Sequence, residues 1–212
     1  MTQDMETAVP GSRLRSASKP QKAAKPPKER KAYKPGLSGW RKELWDWTKA
    51  LLIAAAVVLL LRAFVFQLST VKKVSMEPTL HENEWLFVNK IALRFGSLER
   101  GDVVILKEPS ENGEGKEYLV KRIVGIPGDS LEIRGGELYI NGELKVEPYT
   151  DAKIEDGDFG PITVSADHYF VMGDNRHMNA SKDSRAFKEV PKDLIQGRAD
   201  FIVWPISRLK QL

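Results

Sequence analysis

Two hydrophobic patterns occupy different parts of the chain. Residues 50–61 (ALLIAAAVVLLL) are an unbroken apolar run, which resumes after Arg62 as AFVF and ends at Phe66. From Trp45 to Gln67 the stretch suffices for one transmembrane helix, which needs roughly 20 residues. Trp45 and Trp47 stand just before the run, where an interfacial aromatic belt lies, and Arg62 can snorkel to headgroups from the last turn. The pattern predicts an anchor over residues 45–67. A cleavable leader has a similar layout, but the preceding segment is far too long and no clear small-x-small site follows Phe66, so the anchor is expected to be uncleaved.

From about Val71 to Leu212 the pattern changes to short runs and alternation. Val103–Leu106 and Tyr118–Val124 are apolar runs of strand length. Leu131, Ile133, Leu138, Ile140, Leu144 and Val146 alternate with polar residues, with Gly135-Gly136 and Asn141-Gly142 at hairpin spacing, which predicts a three-stranded meander inside a small hairpin insertion over about 130–165. Further strands are expected near Ile162–Val164, Tyr169–Met172 and Phe201–Val203, and a short helical turn near Pro191–Gln196; Ile91–Phe95 is ambiguous. The fold expected is a mainly β domain behind a single N-terminal transmembrane helix.

Charge divides the chain in the same way. Residues 1–49 carry 12 Lys+Arg against 5 Asp+Glu, and residues 50–212 carry 21 against 24. Residues 1–39, rich in Lys, Pro, Ser and Ala, are too poor in large apolar side chains to offset ordering entropy and are expected to be a disordered basic tail. That tail is either attracted to anionic membrane lipids or simply solvated. A basic flank ahead of the span predicts a cytoplasmic N-terminus and an extracytoplasmic body at the cell membrane. The acidic body argues against a nucleic-acid partner. The absence of Cys excludes disulfides and thiolate chemistry. His81, His168 and His177 show no metal-binding spacing, and no nucleotide-binding glycine motif occurs, so neither metal nor cofactor is expected.

The remaining nucleophiles are hydroxyls and carboxylates. Ser75 lies 8 residues beyond Gln67, and that much extended chain reaches at most about 26–29 Å, which keeps it close to the outer bilayer surface. Pro78 disfavours helix at Glu77, so Ser75 is expected in a non-helical segment, as a nucleophile or as an ordinary loop serine. Lys121 shares a strand face with Leu119 and Ile123, while Arg122 points the other way. Apolar neighbours suit a lysine kept neutral as a base, and equally an amphipathic strand whose lysine snorkels. The segments VMGDNR (171–176) and SKDSR (181–185) read either as a buttress for a site or as a surface turn with an exposed ion pair.

Taken together, SMEPTL (75–80), GDVVILKEP (101–109), YLVKRIVGIPGD (118–129) and VMGDNR…SKDSR (171–185) resemble the successive boxes of type I signal peptidases, in that order behind an N-terminal anchor. The resemblance covers about residues 45–205 and is similar to the Gram-positive form. It implies a serine endopeptidase with a Ser–Lys dyad, using neither metal nor cofactor, that removes signal peptides from secretory preproteins with small residues at −1 and −3. Residue by residue it implies Ser75 as nucleophile, Lys121 as general base, Ser181 as the hydroxyl orienting the lysine, and Asp183 with Arg185 as a supporting salt bridge. The backbone N–H of Ser75 would meet the oxyanion.

The chain departs from the pattern in places. Lys73 stands two residues before the nucleophile, where the family often has Ser or Gly. It is expected to be non-catalytic but near Lys121, on whose ammonium it would act as a like charge. The HMNA turn before Ser181 is two residues longer than usual, which leaves Ser184 as the alternative partner of Lys121. The Gly that often follows the last Arg is replaced by Phe187-Lys188. Two rival readings are a membrane-anchored β-domain that only binds partners, and a self-cleaving repressor-type protease. Possession of both Ser75 and Lys121 argues against the first, and the apolar run against the second.

Overall fold

A computed structural model describes residues 37–110 and 113–212. The expected tail lies outside the described residues up to position 36. Helix α1 runs over Leu37–Phe64. It begins ahead of the expected span because Trp40–Lys49 is made largely of good helix formers, with Lys49 paired to Asp46 at 2.7 Å, and a helix needs no continuous hydrophobicity to propagate. Its stretch Gly39–Phe64, 26 residues, is long and apolar enough to cross a membrane. Leu51 is 71% exposed and its apolar neighbours are similarly bare, so this segment does not pack as a core helix.

Helix α1 ends three residues before the expected end of the span; the chain turns at Val65 and enters strand β1 (Phe66–Thr70). The sheet-forming body therefore starts ahead of residue 71. The strands that follow are β2 (Trp85–Asn89), β3 (Val103–Ser110), β4 (Gly113–Gly125), β5 (Ser130–Arg134), β6 (Glu137–Ile140), β7 (Glu143–Leu144), β8 (Phe159–Thr163), β9 (His168–Met172), β10 (Val190–Pro191), β11 (Ile195–Trp204) and β12 (Lys210–Gln211). Two short helices, α2 (Ile91–Phe95) and α3 (Ser184–Phe187), lie between them. The fold is mainly β.

Among the described residues the strands form two sheets. The larger has the order β1-β2-β11-β3-β4-β9-β10, with β12 added against β11. Its paired strands run antiparallel, and Val104 faces Lys121 while Leu106 faces Leu119 across β3 and β4. Period-2 alternation then sorts the side chains. Val103 and Ile105 join Met76, Leu86 and Val88 in one core; Val104 and Leu106 join Leu119, Ile123 and Val171 in another. Strand β2 alternates in the same way, with Leu86 and Val88 buried.

The smaller sheet, β7-β6-β5-β8, contains the meander. Its two tight connections have positive φ at both central residues, 56° and 79° at Gly135-Gly136 and 54° and 84° at Asn141-Gly142. That is the hairpin turn whose twist matches the flanking strands. The third strand is only two residues long and Val146 is exposed, whereas β8 supplies a fourth. Leu131, Ile133, Leu138 and Ile140 pack against Val124, Phe170 and Met172, so a third core joins the two sheets.

Gly125 sits at that joint. A Cβ there would stand 2.6 Å from Leu131 Cδ1 and 3.1 Å from Phe170 Cβ. Gly125→Ala is expected to cost about 1–3 kcal/mol through overpacking. The check is the midpoint of urea unfolding, and an unchanged midpoint would mean that the joint has slack.

Candidate active site

Ser75 lies in a single 3-10 turn, Val74–Met76, which interrupts otherwise extended chain; Glu77 is again extended ahead of Pro78. Two contacts from the turn after β9 hold this segment. The Asn175 N–H donates to the Ser75 carbonyl at 3.1 Å, and Asn175 Nδ2 donates to the Val74 carbonyl at 3.1 Å. Gly173 packs against the same place. A Cβ at Gly173 would lie 2.3 Å from the Ser75 carbonyl oxygen and 2.4 Å from Ser181 Oγ, so no other residue fits without displacement.

Strand β4 presents Lys121 to this turn. Its Nζ donates to Ser75 Oγ at 2.6 Å, and the lysine is 2% exposed. Leu119 and Ile123 flank it along the strand and Val104 faces it from β3, all three in one core. Burial pushes the Lys121 ammonium down from its ordinary value to about 8. Asp183 and Asp174 oppose that shift, and Lys73 and Arg185 add to it.

The two carboxylates near the lysine are already engaged. Asp183 accepts from Arg185 Nε at 2.9 Å and Nη2 at 2.8 Å, and from the Gly173 N–H at 3.2 Å. Burial works against ionisation of Asp183, but Arg185 holds its carboxyl below the usual range. Asp174 takes a two-pronged contact from Arg122, Nε at 2.8 Å and Nη2 at 2.6 Å. A third pair braces the same turn: Arg176 grips Glu147 at 2.6 and 2.8 Å and donates from Nε to the Gly173 carbonyl at 2.7 Å. Arg122 also lies 4.1 Å from the centre of the Tyr149 ring, a cation–π contact.

The structure separates the two serines that the sequence left as alternatives. Ser184 Oγ accepts from the Val171 N–H at 2.9 Å and is spent on tying α3 to β9. Ser181 lies beside Gly173 and the Ser75 carbonyl, but its buried hydroxyl has no hydrogen-bond partner, Lys121 included. It nonetheless lies close enough to Asp183 to help keep that carboxyl ionised. The longer HMNA turn is tied down outside the site: the N–H groups of Met178 and Asn179 donate to Glu155 and Asp156 at 2.9 and 2.7 Å.

Lys73 lines the same cleft as Ser75 and Lys121 and forms an exposed ion pair with Glu117 at 2.6 Å. Sequence reasoning missed Glu117, Glu147, Tyr149 and the bonding role of Asn175. The GDNR segment pointed to a turn, but which carbonyls its Asn would bind depends on chain about 100 residues away.

The site thus brings a serine hydroxyl into contact with a buried lysine. The profile of the family described as signal peptidase, peptidase S26, matches residues 44–204. The chain is 41% identical over 182 residues to signal peptidase I P of Bacillus subtilis subsp. natto, covering 81% of this chain and 94% of the relative. It is 40% identical over 177 residues to signal peptidase I of Bacillus amyloliquefaciens, covering 79% and 89%. A crystal structure of a signal peptidase I from Enterococcus faecalis V583 matches with 30% identity and a TM-score of 0.39, over 48% of this chain and 96% of that one. The chain belongs to the signal peptidase family, peptidase S26, and is a serine peptidase.

Titration of Lys121 is the direct check on the electrostatics. Followed through its side-chain NMR signals, Lys121 is expected to lose its proton near pH 8, against about 10.4 for a free lysine. Lys73→Gly removes a nearby cation and should move that midpoint to higher pH. A midpoint that stays put would mean that Lys73 does not act on the buried amine.

Proposed function

We propose that this signal peptidase is anchored by its apolar helix and cuts preproteins with Ser75 as nucleophile and Lys121 as general base. The observation that carries this reading is the 2.6 Å contact between Ser75 Oγ and a lysine buried among apolar side chains. With the amine neutral, the direction of that hydrogen bond reverses and the Ser75 hydroxyl donates to the lysine lone pair. Ser75 Oγ attacks the scissile carbonyl as its proton passes to Lys121. The backbone N–H of Ser75 meets the oxyanion. Lys121 then gives its proton to the leaving amine, the signal peptide stays esterified to Ser75, and a water deprotonated by the same lysine releases it.

Asp183 and Arg185 support this chemistry indirectly. They fix Gly173, on which the Ser75 segment rests, and Ser181 fills the space beside it. The substrate is a secretory preprotein whose cleavage region is extended. The cleft beside the dyad, about 470 Å³, lies between residues 67–73 and β4, a shape suited to strand addition with small side chains at −1 and −3. A signal helix held in the bilayer presents its cleavage site near the outer surface, and the short link from α1 keeps Ser75 near that surface too.

The decisive assay uses detergent-solubilised full chain with a labelled preprotein. Ser75→Ala, Lys121→Ala and Lys121→Arg are each expected to lose essentially all turnover while keeping the wild-type unfolding midpoint to within a modest shift, because arginine cannot act as a neutral base. Losses should be non-additive in the double variant. Near-normal turnover by Lys121→Arg would remove Lys121 from the role of base.

Topology has its own test. Protease added to intact protoplasts should digest residues 75–212 and spare the basic N-terminal segment, since the positive excess lies before the span. Protection of the body would reverse the orientation and exclude action on exported preproteins.

A further inference from the structure

The cleft has two cross-links between its walls. One is the Lys121–Ser75 contact. The other is the Lys73–Glu117 ion pair at 2.6 Å, two residues before Ser75 on one wall and four before Lys121 on the other. Lys73, Ser75, Glu117 and Lys121 all line the cleft, and Glu117 lies up to about 13 Å along β4 from Lys121 at the rise of a strand. Both members of the second link are more than half exposed, which puts the link at the solvent-facing mouth rather than in the floor.

The surrounding charges favour this closed arrangement. Lys73, Lys182 and Lys72 together hold the Glu117 carboxyl below its usual range, with Lys73 the largest influence. Lys182 is itself paired with Glu108 on β3, which leaves Lys73 as the direct partner of Glu117. A strand added between two others needs about 4.8 Å on either side. The combined reach of a lysine and a glutamate side chain spans such a gap, so the pair crosses the path of an incoming chain.

Resting on the substrate-cleft reading above, we propose that Lys73 and Glu117 form a charged strap across the cleft, one that must part before an extended preprotein segment can seat. The strap adds a penalty to substrate binding and none to the bond-breaking step. Because it is exposed, salt weakens it.

The test is steady-state cleavage of a preprotein by the full chain in detergent, on the alkaline plateau where Lys121 is neutral in every enzyme. At low salt, Glu117→Gln and Lys73→Gln are each expected to lower KM about two- to fivefold, the range open to an exposed ion pair. The double variant should match either single one, because both remove the same contact. At high salt, wild type and variants should converge. A KM at low salt equal to or above that of wild type in either variant would overturn the strap, as would additive effects in the double variant. Wild-type cleavage that requires Ser75 serves as the reference. Its absence would defeat the functional reading itself, whereas its presence with an unmoved KM defeats only the strap.

Discussion

Burying an ammonium costs far more than burying an amine, and that difference organises the centre of this protein. Lys121 lies among Leu119, Ile123 and Val104, and water is kept from it by the pairing of β4 with β3 and β9. Two carboxylates nearby would ordinarily offset the desolvation and restore the charge. Each is already held by its own arginine, Asp183 by Arg185 and Asp174 by Arg122. The lysine is thus left without a counter-ion of its own, in a place full of ion pairs. Removing one of those arginines would do more than break a salt bridge: it would release a carboxylate to the amine.

The serine is positioned by different means. Among the described residues Lys121 is the side chain that grips Ser75; the turn is held by its carbonyls, through Asn175 and the close approach of Gly173. Gly173 is in turn held by Asp183 at its N–H and by Arg176 at its carbonyl. The same glycine therefore connects the support of Ser75 to the charge network around Lys121. A shift in the turn after β9 would alter the surroundings of both residues together.

Much of this was legible in local pattern. The face shared by Leu119, Lys121 and Ile123 follows from strand alternation alone, and the two glycine-bearing turns of the smaller sheet from their residues. The anchor's apolar core was plain, although its helix starts at Leu37, because helix formation extends through polar residues that hydropathy does not register. Strand β2 escaped notice because WLFVN offers bulky residues on both faces and so little contrast in polarity. Spacing could not show that neither Ser181 nor Ser184 hydrogen-bonds to Lys121: Ser184 is taken by the Val171 N–H, and the Ser181 hydroxyl has no partner among the described residues. Glu117 and Glu147 were invisible for a similar reason: an ion pair between distant residues leaves no trace in either neighbourhood.

The long separations in sequence have a bearing on when the enzyme becomes active. Ser75 meets its lysine across 46 residues, and the amide that secures its turn arrives 101 residues after Val74. A partly synthesised or unfolded chain holds Ser75 and Lys121 but neither the dry environment for the amine nor the fixed serine. Free lysine is protonated at neutral pH and a free serine is a poor nucleophile. If Ser75 and Lys121 are the reacting pair, the unfolded polypeptide is accordingly its own latent form, silent until β4 and the turn after β9 meet the Ser75 segment.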